Sequence, residues 1–384
     1  MPPRATPRAL DPDPASLRAL PLDGATAAGN FAAAGDPSAS RRPLVVRFGA
    51  MGDMVMMTTL VAALAARHGG PVDILSSGPW TQPLLAGQPD VGRIYLVKNR
   101  SLPFLLSKEQ RALVAALRQR GAGPTWYCDT DERSLKLLQR AGFEPSMIRR
   151  ASQLPMRDGE HLVDYWQRFA GENGSATPGT AGAAGPVPGA LPHHDPRLLV
   201  PAAEAEALER WLAGRNLLGR QLLLVQPGNK RTMRRGFRRR PSNTKWWPET
   251  RWAAVLQAMA AMHPEAAILL LGVPQEHALN EQILALAGVH NAINLACDLP
   301  IPRLLALQAR ASAMISVDTG PAHTAAAVGC PVLVLFGVAD PVRIVPRGGE
   351  VPVRHLVGHG AGGPSILAIT VEQVLSAWQE LPKR

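Results

Sequence analysis

Twice along this chain a short apolar run ends in a glycine-bearing turn that opens directly into a helix, and this alternation restricts the fold more than any other feature. LVVRF (44 to 48) leads through GAMGD into MVMMTTLVAALAAR, after which VDILSS, RIYLV and TWYCD read as strands around the amphipathic helix KEQRALVAALRQR. The pattern resumes with LLLVQPG (222 to 228). RWAAVLQAMAAMH, AAILLLGV, HALNEQILALAG and IPRLLALQARA then read as helix, strand, helix and helix; ISVDTG, PAHTAAAVG and PVLVLFG follow as strand, helix and strand, and VEQVLSAWQEL closes the chain as a helix. Strands that alternate with helices form parallel sheets covered on both faces. The predicted class is therefore α/β, with two halves of similar size and a ligand cleft between them at the carboxyl ends of the strands.

The segments between and around these halves have a different composition. Residues 1–42, rich in Ala, Pro, Asp and Ser without an apolar period, read as a disordered tail. GENGSATPGTAGAAGPVPGALPHH (171 to 194) is too rich in Gly, Ala and Pro to pack and marks the boundary. The expected division is a first domain at 43–170, a linker at 171–198, a second domain at 199–368 and a closing helix at 369–384. At roughly 150 residues per domain, 384 residues allow two.

No stretch approaches the ~18 to 20 apolar residues of a membrane span, and the N-terminus lacks the apolar core of a secretory signal. Cys128, Cys297 and Cys330 lie far apart, which implies neither a disulfide framework nor a zinc knuckle. The expected location is therefore cytoplasmic. Lys plus Arg exceeds Asp plus Glu by 41 to 30, a net charge of +11, so an acidic partner is expected: nucleic acid, an anionic lipid surface or a phosphorylated substrate.

Three segments carry candidate chemistry. In ISVDTGPAHTAAAVG, Asp318 ends a strand, Thr319 and Gly320 make the turn, and Pro321 suits the first helical turn. A helix that begins where a strand ends points its free N–H groups into the cleft, a site for phosphate or pyrophosphate, with His323 adding a cationic or hydrogen-bonding contact. The same residues would also serve as a capped connection with no ligand. In Gly49-Ala50-Met51-Gly52-Asp53, the glycines allow close approach of a ligand, and Asp53 sets a carboxylate at the cleft edge, either as a general base or as the cap of its own helix. A dinucleotide fingerprint is incomplete here, with Asp73 only loosely at the position of a ribose-holding acid.

In GNKRTMRRGFRRRPSNTKWWP, the arginines, including Arg234, Arg235, Arg238, Arg239 and Arg240, form a basic surface for an acceptor or membrane or a solvated loop, while Lys245 can bring an ammonium to a departing diphosphate. Asp129-Thr130-Asp131 spells a metal-diphosphate pattern in a setting that does not suit it, and no metal site is expected.

VVRFGAMGDMVMMTTLVAAL, KWWPETRWAAV, LLGVPQEHALNEQI and NLACDLPIPRLLALQARASAMISVDTGPAHTAAAVGCPVLVLFGVADP occur in the order seen in the bacterial heptosyltransferases of glycosyltransferase family nine, and the likeness spans most of residues 43–380. HLVDYW at 161 resembles a weaker landmark of that family. The resemblance implies a GT-B fold of two Rossmann-like domains, the first binding acceptor and the second nucleotide sugar, with the C-terminal helix crossing back to the first. It implies inversion without a metal or cofactor, Asp53 as base, Lys245 on the diphosphate, Asp318, Thr319, Gly320 and His323 as the donor turn, and Glu276 on the nucleoside. The implied donor is ADP-L-glycero-β-D-manno-heptose. The implied acceptor is an anionic glycolipid, a nascent lipopolysaccharide core, at the cytoplasmic face of the inner membrane, with the enzyme peripheral to it.

Alternatives that stay open are another nucleotide sugar or acceptor on the same fold, or a non-catalytic nucleotide-binding partner of a membrane surface or nucleic acid.

Overall fold

The computed structural model describes residues 42–171, 194–229 and 243–384. The expected tail up to residue 41, most of the expected linker and the arginine-rich segment lie outside the described residues.

Two parallel sheets carry the architecture. Strands β1 (Leu44–Val46), β2 (Val72–Ser76), β3 (Val91–Leu96), β4 (Thr125–Tyr127) and β5 (Ile148–Arg150) lie in the order β3-β2-β1-β4-β5. Strands β6 (Leu222–Gln226), β7 (Ala267–Leu270), β8 (Ala292–Asn294), β9 (Ala313–Val317), β10 (Val332–Phe336) and β11 (Val353–Val357) lie in the order β11-β10-β9-β6-β7-β8. Each sheet steps outward from its first strand in one direction and then in the other. The order therefore reverses between β1 and β4 and between β6 and β9, where an open α/β sheet forms its ligand crevice.

The apolar runs are buried from end to end because helices cover both faces. β1, β2, β6, β9 and β10 are buried throughout, with no polar alternation. Successive side chains still serve opposite faces. Val45, Ile74 and Trp126 pack with Met54, Leu60, Leu64 and Trp166 on one side of the first sheet, whereas Leu44, Val46 and Tyr127 pack with Leu113, Leu117 and Leu138 on the other. In the second half, Val225, Ile315 and Leu335 meet Trp252 and Leu256, and Leu224, Met314 and Val334 meet Leu212, Leu307 and Ala325.

The closing helix differs from the expectation that it crosses back. The Val371–Glu380 helix packs on the Glu249–Met262 helix of the second half, with Val374, Ala377 and Trp378 buried beside Trp247 and Leu256. Its apolar face finds its complement in that aromatic shelf, and Arg384 fastens the end by donating to the Ala309 carbonyl at 2.7 Å. The helix that covers the first half from outside the alternating series is Leu162–Gly171, packed on Thr58–His68. Asp73 is likewise structural: fully buried, it pairs with buried Arg120 at 2.6 Å and accepts the Arg93 N–H at 2.8 Å, so nothing is left for a ribose.

Candidate functional site

The first wall of the site is the exit from β1. Gly49 lies so close to the following helix that a Cβ there would stand 2.6 Å from the Asp53 Cβ. Asp53 is the third residue of the Met51–Met56 helix, and its Oδ2 accepts the Ala50 N–H at 2.8 Å. It thus ties down the helix start from inside the first turn, while the N-cap position itself belongs to Ala50. The carboxylate also lies 3.6 Å from Arg47 Nη2 and keeps a side-chain exposure of 33%, enough for a ligand to reach it. Arg47 is held in turn by donating to the Cys128 carbonyl at 2.7 Å.

The second wall is the exit from β9. Thr319 occupies the N-cap of the Gly320–Ala327 helix with extended backbone, yet its side chain makes no capping bond; its Oγ1 lies 3.2 Å from Ser316 Oγ instead. The positive end of this helix is therefore left without a side-chain cap among the described residues. It meets the Met51–Met56 helix start to start. A Cβ on Gly52 would fall 2.7 Å from His323 Cδ2, and one on Gly320 would fall 2.9 Å from Met51 Cβ. Only glycines allow this approach.

His323 is buried at this crossing, and its Nδ1 has no partner among the described residues. Burial lowers its pKa, the nearby Asp318 and Asp53 carboxylates oppose that shift, and Lys245 adds to it. Of the two roles expected for His323, the neutral hydrogen-bonding one fits this environment and the cationic one does not.

Lys245 reaches the same turn. Its Nζ lies 2.5 Å from Asp318 Oδ2 and donates to the Asp318 carbonyl at 2.9 Å. Its backbone is fixed on both sides: the Lys245 N–H donates to Asn243 Oδ1 at 3.2 Å, and Asn229 Nδ2 donates to the Lys245 carbonyl at 3.3 Å. Two residues on, Trp247 is buried edge-on to Trp252 and donates to the Ile369 carbonyl at 3.0 Å. Gly337, just past β10, lets this segment lie on the strand end, since a Cβ there would stand 2.0 Å from the Thr244 carbonyl oxygen.

Glu276 closes the far end of the second wall, beyond β7. Its Oε2 accepts the Val273 N–H at 3.2 Å and a hydrogen bond from Gln226 Nε2 at 3.4 Å, while Oε1 is buried without a partner among the described residues. Burial pushes its pKa up to about 7 against these two hydrogen bonds. The carboxyl group is set against bare backbone, because a Cβ on Gly228 would stand 2.2 Å from Oε1.

The structure thus places Gly49, Gly52 and Asp53 on one wall and Lys245, Glu276, Asp318, Thr319, Gly320 and His323 on the other, all at carboxyl ends of strands. Arg234, Arg235, Arg238, Arg239 and Arg240 lie outside the described residues. Asp129 and Asp131 hold the first half's own backbone: Asp129 Oδ2 accepts the Phe48 N–H at 3.1 Å, and Asp131 Oδ1 accepts the Arg133 N–H at 3.0 Å at a helix N-cap.

Two features escaped the reading of the sequence. Arg47, the one cation in LVVRF, was a visible signal beside Asp53. His161 is a clasp between the halves: its Nε2 donates to the Val345 carbonyl at 2.9 Å and its Nδ1 accepts the Val163 N–H at 3.1 Å, with burial pushing its pKa down to about 4. Arg347, paired with Asp164 at 2.7 Å, reinforces that clasp. A partly exposed carboxylate at one helix start, beside a second helix start whose turn holds an ammonium, can take a proton on one side and receive an anionic leaving group on the other.

Residues 226–355 match the model of glycosyltransferase family 9 (heptosyltransferase). Lipopolysaccharide heptosyltransferase 3 of Escherichia coli is 25% identical over 304 residues, covering 75% of this chain and 81% of that protein. Lipopolysaccharide heptosyltransferase 2 of Salmonella typhimurium is 23% identical over 362 residues, covering 86% and 95%. Among solved structures, the E. coli ADP-heptose lipopolysaccharide heptosyltransferase II superposes with a TM-score of 0.65 at 21% identity, covering 88% of this chain and 98% of that one.

Proposed function

We propose that this chain is a member of glycosyltransferase family 9 and that it transfers a heptose from ADP-L-glycero-β-D-manno-heptose to a lipopolysaccharide core acceptor, with inversion and without a metal, a reading supported by the match of residues 226–355 and by the likeness to two heptosyltransferases. The observation that carries this reading is the start-to-start meeting of the two helices, which brings Asp53 and the Asp318–His323 turn to one junction between the halves.

In this mechanism Asp53 takes the proton of the acceptor hydroxyl as its oxygen attacks the anomeric carbon from the face opposite the diphosphate. The bond from that carbon to the diphosphate oxygen breaks, and its electron pair leaves with ADP. Lys245 has three N–H donors, two of which are engaged by Asp318; the third and the uncapped helix start receive the developing negative charge. Arg47 orients the base. Glu276 Oε1 accepts a hydrogen bond from a nucleoside hydroxyl, which gives a partner to an oxygen that otherwise lacks one.

No helix among the described residues is long and apolar enough to cross a membrane, and the proposed location is peripheral, at the cytoplasmic face of the inner membrane.

The test is transfer from ADP-heptose to a purified core acceptor in excess EDTA, with ADP release timed and the product's anomeric configuration read by NMR. Inverted product is expected, together with a loss of 10²- to 10⁴-fold in kcat for Asp53→Asn and unchanged ADP affinity. Full activity in Asp53→Asn removes the base assignment. Transfer only from a different nucleotide sugar keeps the mechanism and replaces the donor.

A further inference from the structure

The most exposed large apolar side chains among the described residues sit side by side. Leu105 is 81% exposed and Leu106 74%, with Leu102 at 46%. They occupy the loop that leaves β3 and the single 3-10 turn Phe104–Leu106, directly before the Lys108–Arg120 helix. A soluble surface scatters such residues singly, and three within five positions make a protruding apolar knob.

The surroundings of the knob are cationic. The exposed residues of the Lys108–Arg120 helix include Lys108, Arg111, Ala112, Ala115 and Arg118, with no carboxylate on that face. The helix's one acid, Glu109, is turned back to accept the Lys98 and Asn99 N–H groups at 2.7 and 3.2 Å. Arg140 lies 4.6 Å over the Phe104 ring, Arg118 donates to the Arg140 carbonyl at 2.7 Å, and Arg111 donates to the Leu105 carbonyl. None of these three arginines meets a carboxylate among the described residues. Apolar tips rimmed by cations match the layering of an anionic bilayer, acyl chains beneath phosphate.

The placement agrees with this chemistry. The loop rises from the carboxyl edge of the first sheet, the edge that carries Asp53, and Arg100 within it stacks 3.9 Å over Phe48, two residues past β1. We propose that Leu102, Leu105 and Leu106 with Lys108, Arg111, Arg118 and Arg140 form the surface that seats this protein on an anionic phospholipid bilayer. The seat brings the Asp53 wall of the cleft to the membrane. This inference rests on the proposed function for the acceptor's position, but the surface itself is independently testable.

The experiment is co-sedimentation of the full chain with vesicles of phosphatidylcholine alone or with about 30% phosphatidylglycerol, comparing wild type, Leu105→Ser/Leu106→Ser and Arg111→Glu/Arg118→Glu. Binding only to the anionic vesicles is expected, weakened about tenfold or more in each double variant, since each leucine tip and each pair of charges contributes at the kcal/mol level. In parallel, Leu105→Trp is expected to be quenched by brominated acyl chains beyond the quenching of wild type. ADP affinity and melting temperature monitor the fold. Undiminished vesicle binding in the leucine variant, or no quenching of Leu105→Trp, overturns the proposal. So does sedimentation velocity showing that the leucines instead hold a second copy. Vesicle binding as expected without any heptose transfer would leave the surface standing and sink the enzymatic reading alone.

Discussion

At the residue scale the site depends on what is missing as much as on what is present. Gly52 has no side chain because the His323 ring occupies the space. Gly52→Ala inserts a methyl 2.7 Å from that ring, where both sides are helix starts with little room to yield. The expected cost is about 1–3 kcal/mol in thermal unfolding, with a loss of transfer larger than the loss of stability would explain. Glu276 gives a second residue-level expectation. Its folded pKa of about 7 is raised above the unfolded value of 4.5, so folding holds a proton that the unfolded chain releases as pH rises between those values. Stability is therefore highest below pH 4.5 as far as this group is concerned, falls through that window by roughly 3 kcal/mol, and levels off above it. Denaturant unfolding across the window should show this slope in wild type and lose it in Glu276→Gln; an unchanged slope in the variant would assign it to other groups.

Residue identities at the turns were legible in the sequence, because a strand ending in Asp318-Thr319-Gly320-Pro321 has few ways to fold. Their partners were not. That Asp318 is met by Lys245, 73 positions away, and that Gly52 faces His323 follow from how the two halves meet, and no local pattern encodes that.

At the scale of elements, the alternation of strands and helices carried the architecture, since parallel strands buried on both faces leave a continuous apolar run that differs from any amphipathic pattern. The closing helix shows where such reasoning stops. Its apolar stripe announces that it packs on something, but Val374, Ala377 and Trp378 are equally compatible with either half until the shelf of Trp247 and Trp252 is in place. Trp378 is fully buried there, so Trp378→Ala is expected to cost about 3–5 kcal/mol. Because the same shelf anchors the segment that presents Lys245, the variant should also weaken ADP binding in calorimetry. Intact nucleotide affinity at temperatures where it remains folded would separate the shelf from the site.

At the scale of the molecule, two sheets with reversing strand orders turn their carboxyl edges toward each other, and His161 and Arg347 hold the first half to the second. His161 is neutral in this clasp, with a pKa near 4, and donates through one nitrogen while accepting through the other. Protonation removes the accepting nitrogen. The folded pKa is depressed below 6.5, so stability from the clasp is present above pH 6.5 and is lost as pH falls toward 4. Small-angle scattering is expected to show a more open molecule at pH 4 than at pH 7, and His161→Ala should be open at both. A variant as compact as wild type at neutral pH would mean that other contacts hold the halves.

The site also holds two uncomfortable groups: a carboxyl oxygen of Glu276 and an imidazole nitrogen of His323 sit buried without hydrogen-bond partners among the described residues. Each makes the fold less stable than an apolar substitute would. A laboratory selection for heat tolerance alone, run without nucleotide, will accordingly favour replacements at Glu276 and His323 and enrich dead transferases, whereas the same selection run under saturating ADP will protect them.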